Sequence, residues 1–295
     1  MNNRTKIVQV IAVVVIVVVI IVAAVMIFRR SGRSDLVKAV QELAQAQTLH
    51  ARSELKIQQP LLLRDKERPF TTMNIKVEGD VAKNEEIPEL TGTLYMEARG
   101  RGNVFFADGD VRLLKDAVAF RLENLPVLLN PSGSLVKKWT YVSVPAFVDN
   151  KPTDIEAITQ NIVQKLSYAG KDDIEGKSTM HFTGTVTAEE EQILHDLLEQ
   201  KKSGSRALHI IARLLNGADV QSIDIWVDKG SHEIPRLTVK FVKLGADNQV
   251  ADFATLELAF TDYGKNVTID RPNTEVTVKP EVFSKLFGTG QIVQE

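Results

Sequence analysis

The chain has 295 residues, 44% of them hydrophobic and 25% charged, and its 36 Lys and Arg against 38 Asp and Glu leave a formal net charge of −2. That balance excludes a general electrostatic pull toward nucleic acid, and beyond residue 33 no basic tract is longer than Lys137-Lys138 or Lys201-Lys202. Zero cysteines exclude a disulfide, a thiolate zinc site and a lipid carried on a cysteine.

Residues 7–28 form an apolar run, IVQVIAVVVIVVVIIVAAVMIF, broken by Gln9 alone and bracketed by Arg4 and Lys6 in front and Arg29, Arg30 and Arg33 behind. At about 1.5 Å per residue, roughly twenty helical residues span the ~30 Å hydrocarbon core of a bilayer, so this run is long enough to cross it. A cleaved secretory signal has a shorter apolar core, about 7–15 residues, and a small-residue cleavage site. Here the only small pair, Ala23-Ala24, lies inside the run. The sequence therefore predicts a short tail at 1–6, an uncleaved single-pass transmembrane signal-anchor helix at 7–28 and a linker at 29–34. The linker stretches at most ~20 Å, which keeps the following domain beside the bilayer. Charge counting leaves orientation open, because the amino terminus, Arg4 and Lys6 nearly balance the three arginines behind the run.

Ser34 reads as an N-cap with Asp35 in the first turn, and Leu36, Val37, Val40, Leu43 and Ala44 follow at helical spacing, giving an amphipathic helix to about Gln47. At Leu49 the period changes from 3.6 to 2. Leu49, Ala51, Ser53, Leu55 and Ile57 alternate with polar residues, a half-buried strand. A second alternating run contains Thr71, Met73, Ile75 and Val77, a third is residues 91–100 with Leu94, Met96 and Ala98 on one face, and residues 103–125 supply two or three more. Turn signals at Gly79-Asp80, Gly100-Arg101-Gly102 and Asp108-Gly109-Asp110 punctuate them and predict an antiparallel meander.

Residues 125–152 break the pattern and read as a crossover with a short strand near 139–144. Capping boxes at Thr153/Glu156 and Thr187/Glu190 open predicted helices at 154–169 and 188–202, and a third at 205–217 ends on Gly217. The C-terminal third alternates again at 220–229, 235–244, 253–263 and 265–272. Ile223, Ile225 and Val227, then Leu237, Val239 and Phe241, then Leu256, Leu258 and Phe260 share one face. A curved antiparallel sheet with one apolar face and a few covering helices buries these stripes, an α+β class.

Signals for chemistry are thin. His195 and Glu199 are four apart on a predicted helix, but no HExxH pattern or third ligand accompanies them, and the solvated helix face is the stronger reading. There is no G-x-S-x-G elbow. Asn266-Val267-Thr268 is a glycosylation sequon within a predicted strand, and Trp139 and Trp226 read as packed core indoles rather than gates. No cofactor, metal site or catalytic residue is expected.

The helix running straight into a strand meander, the segment LVKKWTYVSV at 135–144, the segment IDIWVDKGSHEIP at 223–235 and the closing KNVTIDRP after FTDYG together resemble the bacterial LolA/LppX-type lipid-carrier superfamily. The resemblance covers roughly residues 35–272 of an expected domain at 35–274, followed by a tail at 275–295. It implies a half-open β-barrel, or curved antiparallel sheet, whose concave apolar face is plugged by helices and admits acyl chains, with no fixed catalytic residues. It also implies that the domain is extracytoplasmic, with the amino terminus inside. This chain departs from the group in using a spanning helix where others use secretion or a lipidated cysteine, so it is no freely diffusing shuttle. The pocket residues expected on this reading are Leu55, Ile57, Ile75, Leu94, Met96, Ile225, Val239, Phe241 and Leu258. The same apolar stripe would also build a plain core. Two functions follow: a membrane-anchored binder of lipid or another hydrophobic ligand, or a non-enzymatic interaction module of the cell envelope with a filled core and a protein partner.

Overall fold

A computed structural model describes residues 35–58, 71–84, 87–100, 103–114, 117–124, 136–143, 165–186, 218–244, 250–273 and 276–278. The apolar run at 7–28, the linker, the helices expected at 188–202 and 205–217 and most of the helix expected at 154–169 lie outside these residues. So do most of the crossover and the chain beyond 278. Among the described residues no helix is long and apolar enough to cross a membrane.

Helix α1 (Asp35–Gln45) buries Leu36, Val37, Ala39, Val40 and Leu43 and turns Lys38 and Glu42 outward. Twelve strands follow: β1 (Thr48–Gln58), β2 (Thr72–Asn84), β3 (Ile87–Gly100), β4 (Asn103–Leu114), β5 (Ala117–Asn124), β6 (Thr140–Ser143), β7 (Ser167–Ile174), β8 (Lys177–Gly184), β9 (Asp219–Asp228), β10 (Arg236–Leu244), β11 (Val250–Thr261) and β12 (Val276–Val278). They form a single sheet in the order β12-β6-β5-β4-β3-β2-β1-β11-β10-β9-β8-β7. Every pairing is antiparallel except β12 with β6. The large antiparallel sheet with few helices is thus as the alternation predicts. The Glu175-Gly176 hairpin between β7 and β8 has φ of 55° and 79°, the paired left-handed conformation of a two-residue turn that follows the sheet's own twist.

Four local expectations are corrected. Gly79-Asp80 is no turn but the middle of β2, and Asp108-Gly109-Asp110 lies within β4. Ser167, Tyr168 and Ala169, expected at the end of a helix, begin β7. Residues 265–272, expected as a closing strand, pair with nothing in the sheet, and the closing strand is β12, beyond the expected domain edge.

The glycines within β2, β3 and β4 have a geometric reason. Gly79 faces Gly92 directly, and a Cβ on Gly79 would strike the carbonyl oxygen of Thr91, while one on Gly92 would strike that of Glu78. Gly109 abuts the carbonyl of Arg121 in the same way, at a register shift between β4 and β5. Aligned glycines and bulges are the devices by which a wide sheet bends.

Residues 262–275 cross from β11 to the far edge of the sheet. Along the sheet that is seven strand spacings, about 34 Å at ~4.8 Å each, within the ~46 Å reach of the segment. The segment is pinned on the way. Tyr263 donates to the carbonyl of Ile234 at 3.1 Å, Gly264 donates to that of Thr48 at 2.9 Å, Ile269 packs on Leu114, Ala117, Ala119 and Tyr141, and the Tyr141 hydroxyl donates to the carbonyl of Pro272.

Gly79→Ala should destabilise the fold by about 1–3 kcal/mol, the usual cost of forcing an extra group into closed packing. A shift of the denaturation midpoint of the detergent-solubilised chain measures it. An unchanged midpoint would show that the Gly79 and Gly92 backbones separate freely.

Candidate functional site

Strand register assembles the apolar stripes into cross-strand rows. Ile223, Val239, Leu256, Leu55, Ile75, Met96 and Ala107 form one row from β9 to β4. Ile225, Leu237, Leu258, Ser53, Val77, Leu94, Gly109 and Leu122 form the next, and Phe260, Ala51, Gly79, Gly92, Val111 and Phe120 a third. Phe241 and Ile57 meet across Ala254 beside the first row. The structure therefore brings all nine expected pocket residues to one face. Eight of them, Leu55, Ile57, Ile75, Leu94, Met96, Ile225, Phe241 and Leu258, are buried, and Val239 is half-buried. Half-buried apolar side chains against this core gather on β8, β9 and β10, with Met180, Phe182, Val220, Ile223 and Val239. At the β7 edge Tyr168 is 56% exposed and meets Phe182 edge to face at 5.8 Å. Burial is thus complete over β1 to β5, whereas β8 to β10 mix half-buried residues with the buried Ile225 and Val227.

The opposite face carries the charged groups, several of them paired, beside the exposed Val104 and Phe106 and the small cluster around Tyr141. Glu54, 9% exposed, accepts from the Asn74 amide at 3.0 Å and lies 3.3 Å from Lys76 Nζ and 3.5 Å from Lys56 Nζ. Burial alone would raise its pKa, but Asn74 and the two lysines outweigh that and hold it below the usual carboxylate range. An open depression of about 390 Å³ on this face is lined by Lys76, Glu78, Tyr95, Asp108, Asp110 and Glu123, a setting that suits no acyl chain.

Trp226 is not a core indole. It stacks on His181 with centroids 4.5 Å apart, donates from Nε1 to Asp172 at 3.1 Å and carries the Arg236 guanidinium 5.9 Å from its ring centre. Trp139 lies half-buried between the Arg112 and Arg121 guanidiniums, at 5.3 and 5.4 Å, against the small cluster around Tyr141. His181 Nε2 and Ser222 Oγ both address the Asp224 carboxylate, at 3.0 and 3.2 Å. A serine nucleophile needs the histidine itself as its proton acceptor, so this trio is not a charge-relay arrangement. Among the described residues no group of three His, Asp or Glu is placed to hold a metal ion. His195 and Glu199 lie outside them.

The chain is similar to two solved mycobacterial proteins, one of them the lipoprotein LppX. With Mycobacterium tuberculosis LppX it shares 14% identity over 80% of this chain and 96% of that one, at a TM-score of 0.42. With LprF from Mycobacterium bovis the figures are 14%, 84%, 96% and 0.42. No family model and no curated protein matches the chain. LppX bears the name of the group that the sequence motifs resemble. Likeness of this depth is silent on ligand and chemistry, which rest on the chain's own residues.

On the polar face His50 Nδ1 lies 2.8 Å from Asp80 and its Nε2 3.4 Å from Glu78. Partial burial lowers its pKa, but the hydrogen bonds and charges of Asp80 and Glu78 outweigh it and raise the value above the usual ~6.5. A raised folded pKa means that the stabilisation is fully present below the unfolded value and is lost as pH rises through the folded one. The thermal midpoint should therefore fall across that window more in the native chain than in His50→Gln. Parallel pH profiles for the two would show that the cluster contributes nothing.

Proposed function

We propose that this chain is a single-pass, membrane-anchored extracytoplasmic protein that binds lipid or another hydrophobic ligand between its apolar sheet face and the helices that cover it. The observation that carries this reading is a mismatch of areas. The apolar rows run over eight strands from β9 to β5, about 34 Å along the sheet at ~4.8 Å per strand. Helix α1, with 11 residues, is only about 16 Å long and ~10 Å across. Cover beyond α1 is left to the segments that the sequence predicts as helices ahead of β7 and at 188–202 and 205–217, with acyl chains filling the layer between. The half-buried apolar residues of β8, β9 and β10 support an opening on that flank, where Val239 is the one expected pocket residue that is not buried, while Ile225, one strand nearer the β7 edge, is buried.

The bilayer is the source of such a ligand, because the linker at 29–34 keeps the domain within ~20 Å of it when the run at 7–28 is inserted. The domain then exchanges ligand with its own membrane, or with a partner that comes to it. Complete burial of eight of the nine candidates favours the rival reading, a filled core serving as an envelope interaction module.

Full-length protein purified from membranes, then exchanged into lipid-free detergent, should retain lipid detectable by native mass spectrometry. Val239→Trp should lower that lipid several-fold while leaving the melting temperature within a few degrees, since a half-buried flank tolerates added volume better than a closed core. No retained lipid in the native chain, together with a stoichiometric protein partner after cross-linking in membranes, would establish the filled-core module instead.

A further inference from the structure

The basic pair Lys137-Lys138 belongs to a turn that the sheet fixes in place. Lys137 N–H donates to the carbonyl of Leu122 at 2.7 Å, Val136 bridges to Leu122, and Lys137 takes a left-handed φ of 60°. Both lysines are exposed, and among the described residues neither forms an ion pair. The turn leads into Trp139 and Tyr141 on the charged face of the sheet, where Ala119 stands between Arg112 on β4 and Tyr141 on β6. Arg121, on one side of Trp139, is neutralised by Asp110 and Glu123. Arg112, on the other side, donates to the carbonyl of Val111 at 3.0 Å and has no carboxylate partner among the described residues. The Arg271 guanidinium lies 5.9 Å from the centre of the Tyr141 ring. Arg112, Lys137, Lys138 and Arg271 thus surround two aromatic rings. The acids of this corner are fewer: Asp270 beside Arg271, and Glu89 near the start of β3.

We propose that this basic and aromatic corner rests on the anionic headgroups of the chain's own bilayer, as a second contact beside the anchor. The inference rests on the membrane anchoring proposed above and adds how the domain stands on its membrane. The chemistry fits the headgroup layer, where lysine and arginine are drawn to anionic lipid and the amphipathic ring of a tryptophan sits between apolar and wet surroundings. Position fits as well. Asp35, the first residue of α1, lies 3.4 Å from His232 in the turn between β9 and β10, so the anchor enters at that end of the sheet. Strand register places the turn between β4 and β5 at the same end. Arg112 and Tyr141 stand two residues from that end, about 7 Å, and Arg121 beside Trp139 stands four residues from it, about 13 Å. Anchor and patch therefore hold opposite flanks of one end of the sheet, about 34 Å apart along it from β9 to β5. With a formal net charge of −2 the chain has no general attraction to anionic lipid, so docking depends on this corner. An acidic protein would also be attracted, but the linker at 29–34 brings the bilayer to this end of the sheet in every case.

The test uses the full-length chain carrying Trp226→Phe, which leaves Trp139 as its only tryptophan, in lipid nanodiscs with a nitroxide quencher on some of the headgroups. Trp139 fluorescence should be quenched more strongly in discs rich in phosphatidylglycerol than in discs of phosphatidylcholine alone. The difference should vanish at about 1 M salt, where screening acts within about 3 Å. Lys137→Glu with Lys138→Glu should lower the ratio of docked to free domain about fivefold for each lysine, and Arg271→Gln should lower it as well. Lys171→Glu with Lys240→Glu, the same change of charge at exposed lysines of β7 and β10, should leave it unchanged. Equal quenching in the two lipids, or equal losses from the two lysine pairs, would overturn the inference and leave the anchor standing. A chain that fails to enter the discs would remove the anchor, and this inference with it.

Discussion

Everything in this molecule depends on the burial of one continuous apolar sheet face. Each square ångström of that face left in water forgoes about 25 cal/mol, and a bare patch of many hundred square ångströms would bind whatever apolar surface it met. The packing of α1 against the face and the glycine contacts within β2, β3 and β4 serve that burial. A flat sheet of this width would need a cover as wide as itself. Gly79, Gly92 and Gly109 are positions where such a sheet can bend.

The two faces divide the chemistry between them. On the polar side, groups that might pass for catalytic ones neutralise one another: Glu54 with Asn74 and two lysines, His50 with two carboxylates, Asp224 with His181 and Ser222. Among the described residues such mutual satisfaction gives these groups a structural role on the hydrated face. On the apolar side the reverse holds. There the buried hydroxyls of Ser53 and of Thr140, which stands opposite Phe120, are left without a partner.

The period-2 alternation made β1, β9 to β11 and the apolar runs of β2 and β3 legible, and with them all nine residues of the shared face, because a strand with one buried face must alternate. Gly79-Asp80 misled because glycine followed by aspartate has the composition of a turn. Its real cause, Gly92 lying opposite, is a cross-strand contact that no local window contains. Residues 265–272 alternate as a strand does, yet β11 is already paired with β1 on one side and β10 on the other, so the chain leaves it with no free edge to join. Ser53 sat in plain view within the stripe, but that its hydroxyl lacks a partner depends on Leu258, some two hundred residues away, and on Val77. Trp226 was misplaced for a simpler reason: in a strand whose outer face carries Asp224 and Ser222, it follows the outward parity of its neighbours, not the preference of an indole for the interior.

The pairing of β1 with β11 also governs how the protein is made. His50 stands opposite Thr261, so the strand at the centre of the sheet waits for almost the whole chain before its second neighbour exists. During synthesis β1 to β5 can zip up in order from hairpin contacts, with β1 at the open margin showing Leu49, Leu55 and Ile57 on its apolar side and an unpaired ladder along its edge. Closing so long a loop costs little more entropy than closing a short one, so the delay is one of time, not of stability. Assembly is therefore a race between β11 and any foreign strand that reaches β1 first, and its outcome separates a monomer from an aggregate.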